Sequence, residues 1–308
     1  MEKEKSLVSV LMTAYNEKEE HFREAIESVL NQSYVNFEVV LLIDNPDSRP
    51  LIRLASRYEQ EDSRLKVFVN ESNIGLVHSL NKGLKQVRGD YICRMDSDDV
   101  SHKDRIVKQL SFLTLGDYDL VGCSVDVIDE DGAHLYKTGN LPQTPEEVNR
   151  ALRWNNCVPH PTWFGKKEIF SQGYRSVPLC EDYDFLLRAA INGFKLANCS
   201  ESLLSYRMSS DSISRNNLFE QYLSQCFLSK EYKKKKIADL KEVDIRVKKG
   251  MDRKKADRYV KANRLFNQSM SLLSKKKYLS GMRHLIVIPS VSISFLNKMR
   301  RMFISRII

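Results

Sequence analysis

The sequence predicts an α/β protein: a mostly parallel sheet flanked by helices, followed by a helical extension. Short apolar runs and segments of helical spacing alternate four times in roughly the first hundred residues, the pattern of a parallel sheet with right-handed crossovers. Each of those runs ends in polar residues, placing a row of candidate ligands at the strand ends where open α/β sheets bind. After about Asn216 strand-like runs cease and the charge balance turns basic.

Taken in order, Val8 to Met12 reads as a buried strand. Glu20 to Leu30 follows as a helix, with Phe22, Ala25, Ile26, Val29 and Leu30 on one face. Phe37 to Ile43 is a second strand, Leu51 to Tyr58 a helix and Leu65 to Val69 a third strand. Val77 to Val87 is a helix stopped at Gly89, and Tyr91 to Met95 a fourth strand. Asp104 to Leu115 reads as helix, Leu120 to Ile128 as strand, and Asp129 to Gly132 as a turn. Pro145 to Trp154 is helical, and Val158 to Pro161 is extended because residues before proline avoid the α region. Glu181 to Ile191 is a helix and Leu203 to Met208 a last strand. Beyond them, Leu218 to Ile237, Ala262 to Leu273 and Tyr278 to Ile286 have helical spacing.

A chain of 308 residues, 42% hydrophobic and 29% charged, has room for one large domain or a domain plus an extension. The division expected is residues 1–215 and 216–308. The second part holds 23 Lys and Arg against 7 Asp and Glu, a charge of +16, and the remainder carries −7. No two of the six cysteines are spaced Cys-x-x-Cys, which argues against a zinc or redox motif; Cys93 and Cys123 read as small core residues. Neither a signal peptide nor an apolar run of membrane-spanning length is visible. The expectation is a cytoplasmic protein with reduced thiols.

The densest chemistry lies in Asp96-Ser97-Asp98-Asp99. Carboxylates this close repel unless a cation or a donor network holds them, and hard divalent cations take a few carboxylate oxygens plus substrate phosphate. A solvated turn leading into a helix cap is the competing reading. The other strand ends offer Thr13 to Glu17, Asp44-Asn45 and Asn73-Ile74-Gly75. Glu181-Asp182 opens a helix, where acidic residues also serve as ordinary N-terminal charge.

These residues form an ordered series: Val8-Ser9-Val10 with Ala14-Tyr15-Asn16-Glu17, Asp44, Asn73-Ile74-Gly75 with Asn81-Lys82-Gly83, Gly89-Asp90-Tyr91-Ile92, Asp96 to Asp99, and Glu181 to Asp184 with Leu187-Arg188. Over roughly residues 6 to 215 the series resembles the inverting family 2 glycosyltransferases of the GT-A (Rossmann-like) fold, the bacterial capsule, lipopolysaccharide and exopolysaccharide type. The resemblance implies a nucleotide-sugar donor, usually a UDP-sugar, and a saccharide acceptor of the lipid-linked kind. Ala14, Tyr15 and Glu17 would line the nucleotide pocket, with Asn73 and Lys82 beside it. Asp44 would accept a hydrogen bond from the base. Asp96 would meet the ribose or the metal shell, and Asp98 would bind Mn²⁺ or Mg²⁺ on the diphosphate. Asp182 would be the catalytic base, with Glu181 shaping the acceptor site.

The chain departs from the family pattern in three places. Asp44-Asn45-Pro46-Asp47 matches only the first carboxylate of the usual Asp-Asp-Gly-Ser. Leu80 replaces a frequent arginine. Ser209 stands where many relatives have a histidine near the metal, so Arg207, Arg215 or Lys82 are left as candidate cations for the diphosphate. His160, between two prolines, could line the acceptor pocket with Trp163; the alternative is a loop histidine and a core tryptophan. Tyr206 reads as core.

Other classes fit less well. A nucleotidyltransferase would place glycine and cations after the first strand, where this chain has Ala14-Tyr15-Asn16-Glu17. A non-catalytic nucleotide-sugar-binding module would be expected to have lost Asp96, Asp98 or Asp182. From Ser294 onward, Phe295, Leu296, Met299, Met302, Phe303 and Ile307 recur at helical spacing among Lys298, Arg300, Arg301 and Arg306, the pattern of a helix lying in an anionic membrane surface. The expected location is therefore peripheral, on the inner face of the cell membrane. Nucleic acid is not expected, because aromatics are not interleaved with the charges.

Overall fold

The computed structural model describes residues 6–208, 217–274 and 277–307; Ser209 and Arg215 lie outside them. A nine-stranded mixed sheet runs through the first two thirds of the chain. Strands β1 (Val8–Ala14), β2 (Phe37–Ile43), β3 (Leu65–Val69) and β4 (Tyr91–Asp96) are parallel, in the order β3-β2-β1-β4. Helices α1 (Glu19–Leu30), α2 (Arg49–Glu61) and α3 (Leu76–Leu84) connect them. Every residue of β1 and β2 is buried, as expected of strands covered on both faces. Alternation sorts their side chains. Val8, Val10 and Met12 pack with α1, α2 and α4 (Arg105–Leu115), whereas Leu11 and Leu42 pack with α3 on the other face.

Register makes the strand ends level. Ala14 pairs with Ile43 and Thr13 with Asp96, so the polar residues after β1, β2 and β4 emerge along one edge. Gly83 seats α3 directly on the sheet: a Cβ there would lie 2.4 Å from Leu11 Cδ1 and 2.8 Å from Leu42 Cδ2. Leu80, on the same helix, is fully buried, so that position faces the core and not the ligand edge.

Beyond β4 the sheet changes direction. The short β8 (Phe164–Lys166) runs antiparallel to both β4 and β6 (Leu120–Ile128). Strand β9 (Leu196–Arg207) lies parallel to β6, with register shifts around Ser124. Its twelve residues extend well upstream of the expected Leu203, the exposed Ser200 and Glu201 interrupting the apolar pattern. β5 (Val100–Ser101), β7 (His134–Lys137) and the four-residue α6 (Lys167–Phe170) are too short to show periodicity. Helix α5 (Pro145–Leu152) starts with a Thr144/Glu147 capping box. Pro159 is extended as expected, but His160–Thr162 close a single 3₁₀ turn before Trp163. Helix α7 (Glu181–Ile191) packs against the α3 side of the sheet.

The extension contains α8 (Leu218–Lys233), α9 (Leu240–Gly250), α10 (Arg253–Ser274), α11 (Tyr278–Val291) and α12 (Ile293–Ile307). Leu228 of α8 and Val243 and Val247 of α9 share the apolar core of α3, α5 and α7. The last three helices build a smaller core around Phe219, Tyr259, Ile288 and Phe295. This divides the apolar series expected to face a membrane: Phe295 is buried and Met299 packs against that core, while Leu296 and Phe303 remain exposed. Among the described residues no single helix is long and apolar enough to cross a membrane. All six cysteines are free, with Cys93 and Cys123 buried.

Candidate active site

The β2 end supplies Asp44, almost completely buried. Its Oδ1 accepts from Asn70 Nδ2 at 2.8 Å and from the Ile74 amide at 2.9 Å, and its Oδ2 from the Gly75 amide at 2.8 Å. Asp44 thus holds the entry to α3, where Gly75 takes a φ of +84° that a side chain would resist. A carboxylate has about four acceptor sites, so Asp44 keeps limited capacity for a ligand. Asn73 Oδ1 also accepts from Gly75, and exposed Lys82 donates to Asn70 Oδ1 at 2.8 Å. Asp44, Asn70, Asn73 and Lys82 therefore form one group.

The β1 end brings Ala14, exposed Tyr15 and half-buried Glu17 to the neighbouring position, with the Tyr15 amide donating to Glu17 Oε2 at 2.8 Å. At the end of β4 the carboxylates divide by role. Asp99 is fully buried; its Oδ1 accepts from the Arg207 amide at 2.8 Å, while Oδ2 has no partner among the described residues. Arg207 also donates to the carbonyls of Asp98 and Glu130 and pairs with Glu24. It is committed to holding this turn and is not a free cation for a diphosphate. Asp96 and Asp98 remain at the ligand edge. Burial pushes the Asp98 carboxyl up to about 7, with the charges of Asp96 and Glu17 adding to it. Glu17 is also raised, chiefly by burial.

Facing this group, α7 presents Glu181 and Asp182 at its N-terminus. Asp182 Oδ2 accepts from Asn156 Nδ2 at 2.7 Å, and its Oδ1 from the Tyr183 amide at 2.6 Å. Burial raises the Asp182 carboxyl, opposed by the Tyr183 amide, Arg94 and Asn156. Burial and the Asp182 charge push Glu181 up to about 7. The helix is anchored behind the site. Asp184, fully buried, pairs with Arg175 and Arg188, and Arg188 donates on to the carbonyls of Gln172 and Gly173. Asn81 exchanges two hydrogen bonds with the Tyr174 backbone, at 2.9 and 2.8 Å, tying α3 to the segment that leads into α7.

Between the two carboxylate groups lies Arg94, only 2% exposed. One guanidinium nitrogen pairs with Asp96, while Nε and Nη1 have no hydrogen-bond partner among the described residues. Its charge also acts on Asp98, Glu181 and Asp182, opposing the rise that burial imposes on each. Arg94, Asn70 and Asn156 escaped the sequence reading. The signal for Arg94 was its position between Cys93 and Met95 in a strand with no exposed face.

Trp163 does not line a pocket. It is fully buried, donating to the Val158 carbonyl at 3.0 Å and meeting the His160 ring edge-on at 4.5 Å. His160 bonds to the Tyr174 hydroxyl at 3.0 Å, and burial with the nearby Arg94 charge keeps its imidazole well below its usual range. The pair therefore belongs to the aromatic packing beneath the site. A cleft of about 250 Å³ opens between α3 and the segment before α7, lined by Ile74, Gly75, His78, Pro178 and Glu181 among others. A larger cavity of about 570 Å³, beside Lys85, Lys167 and Phe170, contains none of the facing carboxylates.

No three Asp, Glu, His or Cys side chains among the described residues converge as a metal cage. Asp96 and Asp98 nevertheless suit a cation that takes two carboxylates and completes its shell with phosphate and water, since Asp98 sits beside the negative charges of Asp96 and Glu17, which Arg94 only partly offsets.

A mixed sheet of this topology with carboxylates at level strand ends is consistent with a glycosyltransferase of the GT-A fold, and the comparisons agree. The model of glycosyl transferase family 2 matches residues 9–173, and the chain belongs to that family. The O-antigen biosynthesis glycosyltransferase WbnJ of Escherichia coli is 31% identical over 75% of this chain and 90% of its own. The putative glycosyltransferase EpsE of Bacillus subtilis is 37% identical over 68% and 76%. The structure of S. aureus TarS 1–349 in complex with UDP-GlcNAc matches with a TM-score of 0.60 at 16% identity, covering 97% of this chain and 88% of that one. The fold is GT-A.

Proposed function

We propose that this glycosyltransferase moves a sugar from a UDP-sugar to a lipid-linked saccharide acceptor, with inversion at the anomeric carbon, in cell-surface polysaccharide synthesis on the inner face of the cell membrane. The observation that carries the reading is the placement of Asp182 opposite Asp96 and Asp98, with buried Arg94 between them. The WbnJ name supports the pathway class and the TarS complex supports the donor class.

In this reading the donor lies along the strand ends. Its base sits near Asp44 and Lys82, and its ribose and diphosphate lie toward Tyr15, Glu17 and Asp96. Asp182, held by Asn156 and the Tyr183 amide, takes the proton of the acceptor hydroxyl. The freed oxygen pair forms the new bond to the anomeric carbon as the bond to the diphosphate breaks on the opposite side, so configuration inverts and UDP leaves with the electron pair. Asp96 and Asp98 would hold Mn²⁺ or Mg²⁺, which when bound offsets negative charge on the diphosphate.

The test is a panel of nucleotide sugars with Mn²⁺ or Mg²⁺, scored by binding, by UDP release and by the anomeric configuration of the product. Turnover of a UDP-sugar with inversion is expected. Retention of configuration, or turnover confined to nucleotide triphosphates, would overturn the reading.

A further inference from the structure

Residues 258–308 contain eleven Lys and Arg and no Asp or Glu. The inner side of α11 is settled: Ile288 is buried, Ser269 donates to the Gly281 carbonyl at 2.7 Å, and a Cβ on Gly281 would lie 2.8 Å from Leu273. Its outer side is apolar and bare. Leu279 is 86% exposed and Ile286 72%, with Met282 between them and Tyr278 and Val287 alongside. The spacing of 279, 282 and 286 places them on one face. After a bend of 119°, Ile293 at the start of α12 continues the patch at 80% exposure. Lys277, Arg283 and Arg300 are exposed around it.

We propose that this elbow of α11 and α12, rather than the length of α12, is the surface that enters an anionic lipid bilayer. Large exposed aliphatics rimmed by cations match the interfacial region of a membrane, where apolar groups sit among acyl chains and cations meet phosphate. A second copy of the chain is a poorer occupant, because it would press two cationic faces together. The inference deepens the reading of a lipid-linked acceptor by naming the docking face, yet it needs no sugar transfer to be tested.

The experiment is co-sedimentation of the full chain with vesicles of phosphatidylcholine alone or with phosphatidylglycerol, at low and high salt, for the parent and for the double variant Leu279→Glu/Ile286→Glu. The parent should bind the anionic vesicles and lose part of that binding in high salt. The double variant should bind about tenfold less or weaker still, with unchanged melting and unchanged UDP-sugar turnover on a soluble acceptor. Phe303→Glu, at an exposed position of α12, should retain most of the binding. Equal binding by parent and double variant overturns the proposal, as does a Phe303→Glu loss larger than that of the elbow variant. A parent that ignores anionic vesicles but dimerises through Leu279 and Ile286 in gel filtration also overturns it. Vesicle binding without any UDP-sugar turnover would keep the docking face and remove the proposed reaction instead.

Discussion

Replacing Asn156 with leucine separates a base held ready from a carboxylate that merely opens a helix. Asn156 Nδ2 donates to Asp182 Oδ2 at 2.7 Å, and its Oδ1 accepts from the Val158 amide at 3.0 Å. A hydrogen bond to an ionised group contributes about 1.5–3 kcal/mol, and 1.36 kcal/mol corresponds to roughly one pH unit. Because this bond favours the ionised carboxylate, losing it raises the apparent pKa of the Glu181–Asp182 pair, which titrates as a unit, by about one to two units. A base must be deprotonated to act, so the acid limb of kcat/KM for the acceptor should move up by that amount. Above the shifted limb the rate should recover most of the parent value. Stability should fall by about 1 kcal/mol from the orphaned Val158 amide, so melting is measured on the same samples. An unmoved limb, or a rate loss equal at every pH, would refute the role of Asn156 and weaken that of Asp182.

Asp182→Asn should keep donor affinity and lower turnover by about 10²–10⁴-fold; collapse of donor binding in calorimetry with turnover preserved would make it a binding residue. Asp98→Asn, or EDTA treatment of the parent, should abolish transfer and weaken UDP-sugar binding, an expectation that full activity in either would defeat. The raised folded-state pKa of Asp98 means the folded chain binds more protons than the unfolded one. In EDTA that contribution to stability is therefore present at low pH and lost as pH rises from the normal carboxylate range through about 7. Asp98→Asn should flatten that decline in thermal melts, and an unchanged slope counts against it. Asp184→Ala leaves Arg188 buried without its counter-charge and should cost about 3–5 kcal/mol in urea unfolding; a loss below about 1 kcal/mol would show the network to be dispensable.

What the sequence disclosed follows from where each residue is packed. β2 and β6 were legible at their full length because burial on both faces leaves an unbroken apolar run, and α7 because Phe185, Leu186 and Ala189 repeat above a clear acidic start. β8 escaped because three residues with a central glycine carry no period. Arg94 was given no role because a lone cation at the end of an apolar run carries no motif, and only the strands on either side of β4 show it buried between the carboxylates. Asn156 falls between the expected helix ending at Trp154 and the extended segment from Val158, and its partner Asp182 lies 26 residues further on. For the tail, spacing established helices but not which face finds a partner; α8 and α10 took Phe295 and left Leu279 bare.

The double hydrogen bond between Asn81 and the Tyr174 backbone divides the segment before α7 into a root and a tip. The root, Gln172 to Arg175, is pinned to α3 on one side and to Arg188 and Asp184 on the other. The tip, Ser176 to Leu179, lines the cleft next to Glu181. Val177 is buried in the core beside α3 and α7, but exposed Ser176 and half-buried Pro178 and Leu179 can be exchanged without touching the bonds that pin the root. In the proposed reaction the tip would meet the acceptor, so grafting Ser176, Pro178 and Leu179 from a relative with another acceptor would be the smallest swap that leaves those bonds intact.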